Sequence, residues 1–471
     1  MADKEILQHP GDFILDGMVI VGSSGITVEI SKLVEELNIF QNIDTPYMSG
    51  SILIKDATGL AEAMPFMGQE RLIFSLRTPG RQKIDFNEYH AIVYNVGARV
   101  HQTDRSQNII LNFTSLENYK NFRTRVSKSF NGNISDIVKE ILTSKNYLGS
   151  KKPINIEPTK NIRSYVMPNT TPFEAIDIMQ EEAISKDEQA PHYLFYENQN
   201  GFHFRSLDSL LGQKKNLSVI EKATYRFEPP PPGNISVDPN YILPTILHWQ
   251  VINNTNTFLN VRSGMYASTL YTHDIFNKNI QKFEFDYIKD GFKKRNSTNQ
   301  NRKNSGPQVP QTKIGDKPIT EYSESRIFVH PTGSENLYTE GKSDNSAKEW
   351  LQESRSREVE REFFTLRIDT YGNTGIQVGD LINVIIPSNK PMSSAEGKDA
   401  YDRTLSGRYM ITEIHHLIVP SSQTHSMVMT VMKDSFENAA VVKDLQIKDE
   451  KQGSIDTSLK NRKLSVKGTP E

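Results

Sequence analysis

The sequence predicts a mainly β, α+β protein: two similar small β-barrel domains flanking an α+β domain, with a polar insertion ahead of the second barrel. Three observations predict it. From Gly375 to Asn438 the chain consists of runs rich in Val, Ile, Met and Tyr, bounded by Gly, Pro and Ser, which reads as strand, loop and hairpin. Between residues 133 and 183 the apolar period changes from that of a strand to that of a helix. Residues 289–317 then lose nearly all apolar character, holding eight Lys or Arg and two Asp among Asn, Gln and Ser.

Taken in order, residues 13–30 alternate weakly around Gly17, Gly22 and Gly25 and predict two short strands. Ser31 to Leu37 places Leu33, Val34 and Leu37 on one helical face with Ser31 as a cap, so a short helix is expected there. Pro46 to Asp56, Arg71 to Arg77, Glu88 to Val100 and Asn108 to Leu116 predict strands, the last two joined by a turn. Residues 1–117 are therefore the first β-barrel domain.

Residues 118–228 form the α+β domain. Ile134, Ile137, Val138, Ile141 and Leu142 follow the i, i+3, i+4, i+7, i+8 pattern of an amphipathic helix. Thr171-Pro-Phe-Glu174 is a capping box with proline at the first helical position, followed on one face by Phe173, Ile176, Met179 and Ala183. The turn Asn198 to Gly201 joins His192–Glu197 to Phe202–Ser206 as a hairpin. Pro229 to Pro232 reads as a stiff spacer opening residues 229–288, a linker and β segment leading to the second barrel region.

Residues 289–362 are expected to be a basic mobile loop followed by a charged helix. That helix, from Asp344 to Glu362, has only Ala347, Trp350, Leu351 and Val359 to bury, which suggests a strut over a surface. Residues 363–438 are the second β-barrel domain. Its hairpin is apolar on both pleat faces, Tyr409, Ile411, Leu417 and Val419 against Met410, Ile414 and Ile418, as in a barrel wall with its outside covered. Residues 439–471 form a polar tail, expected to be disordered or anchored on a neighbour.

Composition narrows the function. A net charge of -2 over 471 residues gives no general electrostatic grip on nucleic acid. With no cysteine, disulfides, thiolate metal sites and cysteine nucleophiles are excluded. No stretch approaches the ~18 apolar residues of a membrane span, and the first residues lack a secretory pattern, so synthesis in a cytoplasm without membrane insertion is expected.

The two β regions share an order of segments. Met67 to Leu76, His90 to Val96 and Ile109 to Asn118 correspond to Val378 to Val384, Arg408 to Ile414 and Met427 to Asn438, and both series end in a Glu-Asn pair. Such a duplication lets a trimer present six similar units.

Local catalytic patterns are missing. His415 and His416 are strand neighbours that point to opposite faces. Glu181 and Glu182 diverge on a helix, and His273-Asp274 has no nucleophile motif nearby. Gly372 to Gly375 reads as a turn. The aromatic run Tyr193 to Tyr196 with Phe202 to Phe204 lacks interleaved basic residues and reads as a hairpin core, not a base-stacking platform. Catalytic, cofactor-binding and metal residues are thus predicted to be none, with no cofactor.

Thr171 to Ala175, Tyr193 to Asn198, Gly201 to Leu207, Gly379-Asp380 and Gly407 to His416 carry a resemblance, together with Ile43 to Asp56. In this order they resemble the central baseplate hub protein of contractile-tailed bacteriophages, the adaptor between tail tube and central spike. The similarity covers most of residues 10–438, and the hub module of type VI secretion spike proteins is related. The resemblance implies a homotrimer with paired barrels in a pseudo-six-fold ring, adapting a six-fold tail tube to a three-fold spike around a DNA channel. It further implies a virion location, with the tail tube protein, a separate central spike protein and other baseplate proteins as partners, and DNA passing without specific binding. A tail-associated cell-wall hydrolase and a carbohydrate-binding tail adhesin are the alternatives.

Overall fold

The computed structural model describes residues 6–22, 25–103, 106–212, 223–227, 238–275, 277–299, 313–332, 347–388 and 401–436. Strands from both β regions join one fourteen-stranded, almost wholly antiparallel sheet. Its path runs Ile246–Asn253, Phe364–Tyr371, Thr424–Lys433, Gly407–Val419, Val34–Asn42, Ser49–Asp56, Ser106–Ser115, Ala91–Thr103, Arg71–Arg77, Ile14–Val21 and Thr27–Glu29. The sheet curls around two apolar cores. One gathers Ile20, Leu37, Ile52, Phe74, Leu111 and Phe113, the other Leu366, Ile368, Tyr409, Ile411, Met429 and Val431.

The protein is mainly β, as the sequence predicts, but among the described residues no sheet closes into a barrel. The reason lies in Val34–Asn42. Its first edge pairs with Ser49–Asp56, and its second pairs with Gly407–Val419 from the other half of the chain. The edge that would close the first barrel is spent on joining the halves.

That same strand overturns the helix expected over Ser31 to Leu37. Leu37, Ile39 and Gln41 are buried at the strand period, with a bulge between Val34 and Glu36. The Ser31 hydroxyl caps nothing there; it accepts from the Met18 amide at 3.0 Å. A bulge also corrects the two-faced hairpin. Between Ile411 and Glu413 the phase of Gly407–Val419 shifts, so Tyr409 and Ile411 share a buried face with Ile414, His416 and Ile418. Leu417 and Val419, on the other face, are only half-buried.

The strand registers of the two β regions match. Val93 lies opposite Phe113 and, across one extra residue, Asn95 lies opposite Asn112. Ile411 lies opposite Val431 and, across one extra residue, Glu413 opposite Thr430. A second bulge repeats too: Val34 and Glu36 face Ile54 and Leu53, while Ile246 and His248 face Thr370 and Asp369. The lead-in turns match as well. Gly68 and Gly379 have φ of 81° and 85°, and each precedes an acid whose carboxylate accepts a turn amide, Glu70 from Met67 and Asp380 from Gln377. The Glu70 and Asp380 carbonyls then accept the Val93 and Ile411 amides at 2.8 and 2.9 Å. The terminal Glu-Asn match does not belong to this register. At the spacing that relates Phe113 to Val431, Asn118 falls on Phe436, and residues 437–438 lie outside the described residues.

Identity between the copies is hidden by compensating sizes. Gly50 faces Phe113 where Leu366 faces Val431. A Cβ on Gly50 would lie 2.3 Å from the Phe113 ring and 2.2 Å from the Asn38 carbonyl oxygen. Gly50→Ala is therefore expected to cost about 1–3 kcal/mol by overpacking, and Phe113→Val in the same chain to recover part of it, read from urea midpoints.

The α+β region packs its own core from Phe130, Ile134, Val138, Phe173, Ile176, Phe195 and Phe204. The helix Ile134–Thr143 buries the predicted stripe. The helix Pro172–Glu181 begins with the predicted capping box, both of its reciprocal hydrogen bonds present. Tyr193–Asn198 and Gly201–Ser206 form the expected hairpin, with Gly201 at φ 104°. Residues 229–288, expected to be a linker and β segment, also contain a helix, Thr257–Ser263.

The insertion departs furthest from expectation. Lys289, Lys293 and Lys294 are exposed, but Asn296, Ser297, Thr298 and Asn299 have almost no exposure, while residues 300–312 lie outside the described residues. The helix Leu351–Arg361 buries a polar face, Gln352, Ser356, Arg357 and Glu360, so it is a core helix and not a strut. The proline spacer and the polar tail lie outside the described residues.

Candidate functional site

The residues weighed for chemistry do not converge. His416 is buried and His415 faces the other side, its Nε2 2.7 Å from the Asn38 side-chain oxygen. Glu181 pairs with Arg355, whereas Glu182 accepts from the Tyr165 hydroxyl at 2.9 Å, so the two diverge along the edge of a cleft of about 780 Å³. His273 is exposed, and Asp274 closes a turn by accepting from Asn277. The Gly372 amide donates to the His425 carbonyl, and the Gly375 amide to the Asn373 side chain, a turn as expected. Tyr193, Phe195, Phe202 and Phe204 are buried against one another, leaving no face on which a base could stack. Among the described residues no three His, Asp or Glu are placed to hold a metal ion.

What the structure does build is a junction between the two β regions within one sheet. Glu413 to Ile418 run antiparallel to Asn42 to Leu37, six residue pairs in all. Polar and aromatic side chains cross the seam. The Asn42 amide donates to Glu413 at 2.9 Å, and the Phe40 ring stacks on His415 at 4.5 Å between centroids. Thr78 and Thr374 exchange hydrogen bonds of 2.9 and 3.1 Å further along, linking the approach to both copies.

The outward face of this sheet mixes short polar side chains with larger ones, among them Phe40, Leu53, His415, Leu417 and Arg367. Asn38, Ser51 and Asn112 lie in one row, and Gln250, Arg367 and Thr430 in the equivalent row. Lys55 and Arg367 share that face with Glu36, Asp369 and Glu413, so charges of both signs stand on it.

A hairpin from the α+β region locks the junction from behind. Asn198 and Gln199 at its tip donate to the Val378 and Thr374 carbonyls, at 3.4 and 2.8 Å. On the opposite side Glu197 accepts the Met48 amide at 3.1 Å. The same carboxylate holds Lys152 at 2.5 Å, and Glu117 holds it at 2.6 Å, all three side chains being buried. Burial opposes the Lys152 charge, but the carboxylates of Glu197 and Glu117 outweigh it and keep its pKa above the ordinary value.

A second buried charge cluster fastens the insertion to the second copy. Arg357 reaches Glu360 at 2.6 Å, Asp208 at 3.1 Å and Asp434 at 3.7 Å. Thr298 donates its amide and hydroxyl to Asp434, at 2.8 and 2.6 Å, and Asn299 bonds Ser435 and Arg408. Neither cluster is predictable from local sequence, because each joins residues distant along the chain.

His416 and His425 form a buried pair in the second copy, 3.1 Å apart through Nδ1 and Nε2. Burial pushes both below the ordinary value near 6.5, His425 to about 3. Both are neutral in the fold and charged in the unfolded chain below that value, so their contribution is complete above about pH 6.5 and is lost as pH falls. The expected slope is up to ~2.7 kcal/mol per pH unit for the two. Urea midpoints measured from pH 7 to pH 5 should fall accordingly, and the profile should flatten in a His416→Asn, His425→Asn double variant.

No protein-family model matches the chain. Its sequence is 20% identical over 421 residues to the "Probable baseplate hub protein gp334" of Vibrio phage KVP40, covering 88% of this chain and 92% of the phage protein. Among solved structures it aligns with the tail protein from Neisseria meningitidis MC58 (10% identity, TM-score 0.49, 90% of this chain and 97% of that one). It also aligns with the 43 kDa tail protein of prophage MuSo2 from Shewanella oneidensis (10% identity, TM-score 0.47, 89% and 98%). A third alignment is to the E. coli c3393 protein, a component of the type VI secretion system (9% identity, TM-score 0.39, 85% and 73%). The chain is thus similar along nearly its whole length to a phage baseplate hub protein.

Proposed function

We propose that this protein is the structural hub of a contractile phage baseplate and has no enzymatic role. Three chains assemble as a ring in the virion tail, made in the host cytoplasm and built into the particle. Each chain presents two equivalent sheets, so the trimer offers six similar positions to a six-fold tail tube protein on one side. On the other side it meets a separate three-fold central spike protein, and other baseplate proteins surround it. Residues 1–117 and 363–438, the latter completed by Ile246–Asn253, are the two tube-like units in this reading, and 118–228 the clamp behind them.

One observation carries the reading: the two sheets share register, bulges and lead-in turn, and lie side by side in one continuous sheet. A unit repeated twice per chain is how a three-fold assembly can match a six-fold one. The relative of the same kind supports it. An outer face with charges of both signs suits the wall of a channel through which DNA passes without being held.

Native mass spectrometry of the purified chain, with cryo-EM of assembled tails, tests the proposal. A trimer with six quasi-equivalent sheets around one axis is expected. A monomer in solution with no ring in assembled tails would overturn it, and tight duplex binding at physiological salt would remove the conduit role.

A further inference from the structure

The helix Leu116–Arg123 is amphipathic the wrong way round. Its buried residues are Glu117, Asn118 and Asn121, while Tyr119 is 43% exposed and Phe122 72% exposed. Hydrogen bonds and charge hold the polar side inward. Glu117 accepts from the Ser150 hydroxyl at 2.8 Å and pairs with Lys152 at 2.6 Å. Asn118 donates to the Thr114 hydroxyl at 3.0 Å, and Asn121 accepts the Phe173 amide at 2.8 Å. These contacts fix the rotation of the helix about its axis. Tyr119 and Phe122, three residues apart, therefore share the outer face with Arg123. One exposed aromatic is ordinary, but two on the outer face of a helix whose inner face is polar mark a contact surface.

The charge around that face has one sign. Arg123 and Arg125 are exposed, and neither forms an ion pair among the described residues. The Glu174 carboxylate feels Arg125, but it is committed to the Thr171 amide at 2.8 Å. The face also belongs to the first β unit alone. At the spacing that relates Phe113 to Val431, Tyr119 falls on Glu437, Phe122 on Ala440 and Arg123 on Val441. The six positions of the ring are thereby of two kinds, three with the aromatics and arginine and three without.

We propose that this face docks a second baseplate polypeptide, one to each hub chain, through an acidic surface that surrounds an apolar pocket. Phe122 enters the pocket, Tyr119 lies at its edge, and Arg123 and Arg125 meet the surrounding carboxylates. This rests on the hub reading above and names where, and with what chemistry, one of its partners binds. Aromatic and arginine side chains together are the usual centre of a protein contact. Two arginines in a chain of net charge -2 are too few for a grip on a run of phosphates.

Carbodiimide joins a lysine amine to a carboxylate in direct contact with it, so it reads this surface in assembled tails. Arg123→Lys keeps the charge and supplies the amine. Position 123 should then be found joined to an Asp or Glu of a different polypeptide. Lys128 and Glu140, 2.8 Å apart, should couple within the chain and calibrate the reaction. Phe122→Ala in the same background should lower the yield at position 123 more than about tenfold, as at the centre of a contact. Val329→Ala, at an equally exposed apolar residue, should leave it unchanged. Urea midpoints of these purified variants should agree, which separates docking from folding. Coupling of position 123 to another hub chain overturns the proposal, as does no coupling there where Lys128 and Glu140 react. Binding of duplex DNA that is lost in Phe122→Ala overturns it too. Native mass reads the ring separately: a monomeric wild-type chain would sink the trimer, while an adduct at position 123 in tails would still establish the docking face.

Discussion

Lys152→Met is expected to lower stability by about 3–5 kcal/mol, the cost of leaving buried charges without their partner. The ammonium lies between Glu117 on the helix Leu116–Arg123 and Glu197 on the α+β hairpin, with side chains at most 7% exposed. The Phe202 ring lies 5.6 Å from the same nitrogen. Two carboxylates already outnumber one cation here, and burial pushes Glu197 upward despite Lys152. Without the lysine both acids must find a proton or repel in a site closed to water. The effect should reach further than the pocket, because Glu197 also holds the Met48 amide. Equilibrium denaturation measures the loss, and adding Glu117→Gln and Glu197→Gln should recover much of it. A Lys152→Met chain with a wild-type midpoint would show that the triad contributes nothing.

Much of the fold was legible because its signals are local. Arg71–Arg77 alternates and is a strand over the residues read from sequence. Thr171 and Glu174 form a capping box because four residues suffice to make one. The repeat was legible as an order of segments, yet not as identity, because Gly50 with Phe113 fills the space of Leu366 with Val431. Ser31 to Leu37 failed for the opposite reason. Three apolar residues fit a helical face, and only the partners Ser49–Asp56 and Gly407–Val419 decide for a strand.

The candidate site was least legible where polar residues are buried. Charged and amide side chains in residues 289–299 and 351–361 read as solvated, since burial of a charge is normally too costly to expect. The structure meets that cost with partners far along the chain, Asp208 and Asp434 for Arg357, and Ser435 for Asn299. Periodicity reports which face of a helix is apolar, and it is silent on a polar face that meets other polar groups. The junction was half legible for a related reason. The apolar pattern of the hairpin reports its faces and not its edges, and its edge partner Val34–Asn42 lies more than three hundred residues away in sequence.

Arg357→Met is expected to be as damaging as the lysine change, about 3–5 kcal/mol, and to differ from it in its pH dependence. The guanidinium is faced by Glu360, Asp208 and Asp434 and also donates to the Asn296 carbonyl at 2.7 Å. Burial already lifts Glu360 to about 7, with Arg357 pulling it down and Asp434 pushing it up, while the Tyr287 hydroxyl donates to it at 2.5 Å. An acid raised in the fold contributes stability below its unfolded pKa, near 4.5, and loses it as pH climbs through the folded value. Removing Arg357 takes away the influence that restrains this rise, so Glu360 holds its proton to higher pH and the unfolded chain releases it first. The destabilisation by Arg357→Met should therefore be greater at pH 8 than at pH 6, opposite in sign to the histidine pair, which weakens the fold toward acid. Urea midpoints at the two pH values decide it. A loss equal at both would mean that the cluster acts through packing and hydrogen bonds, with its charges already neutralised.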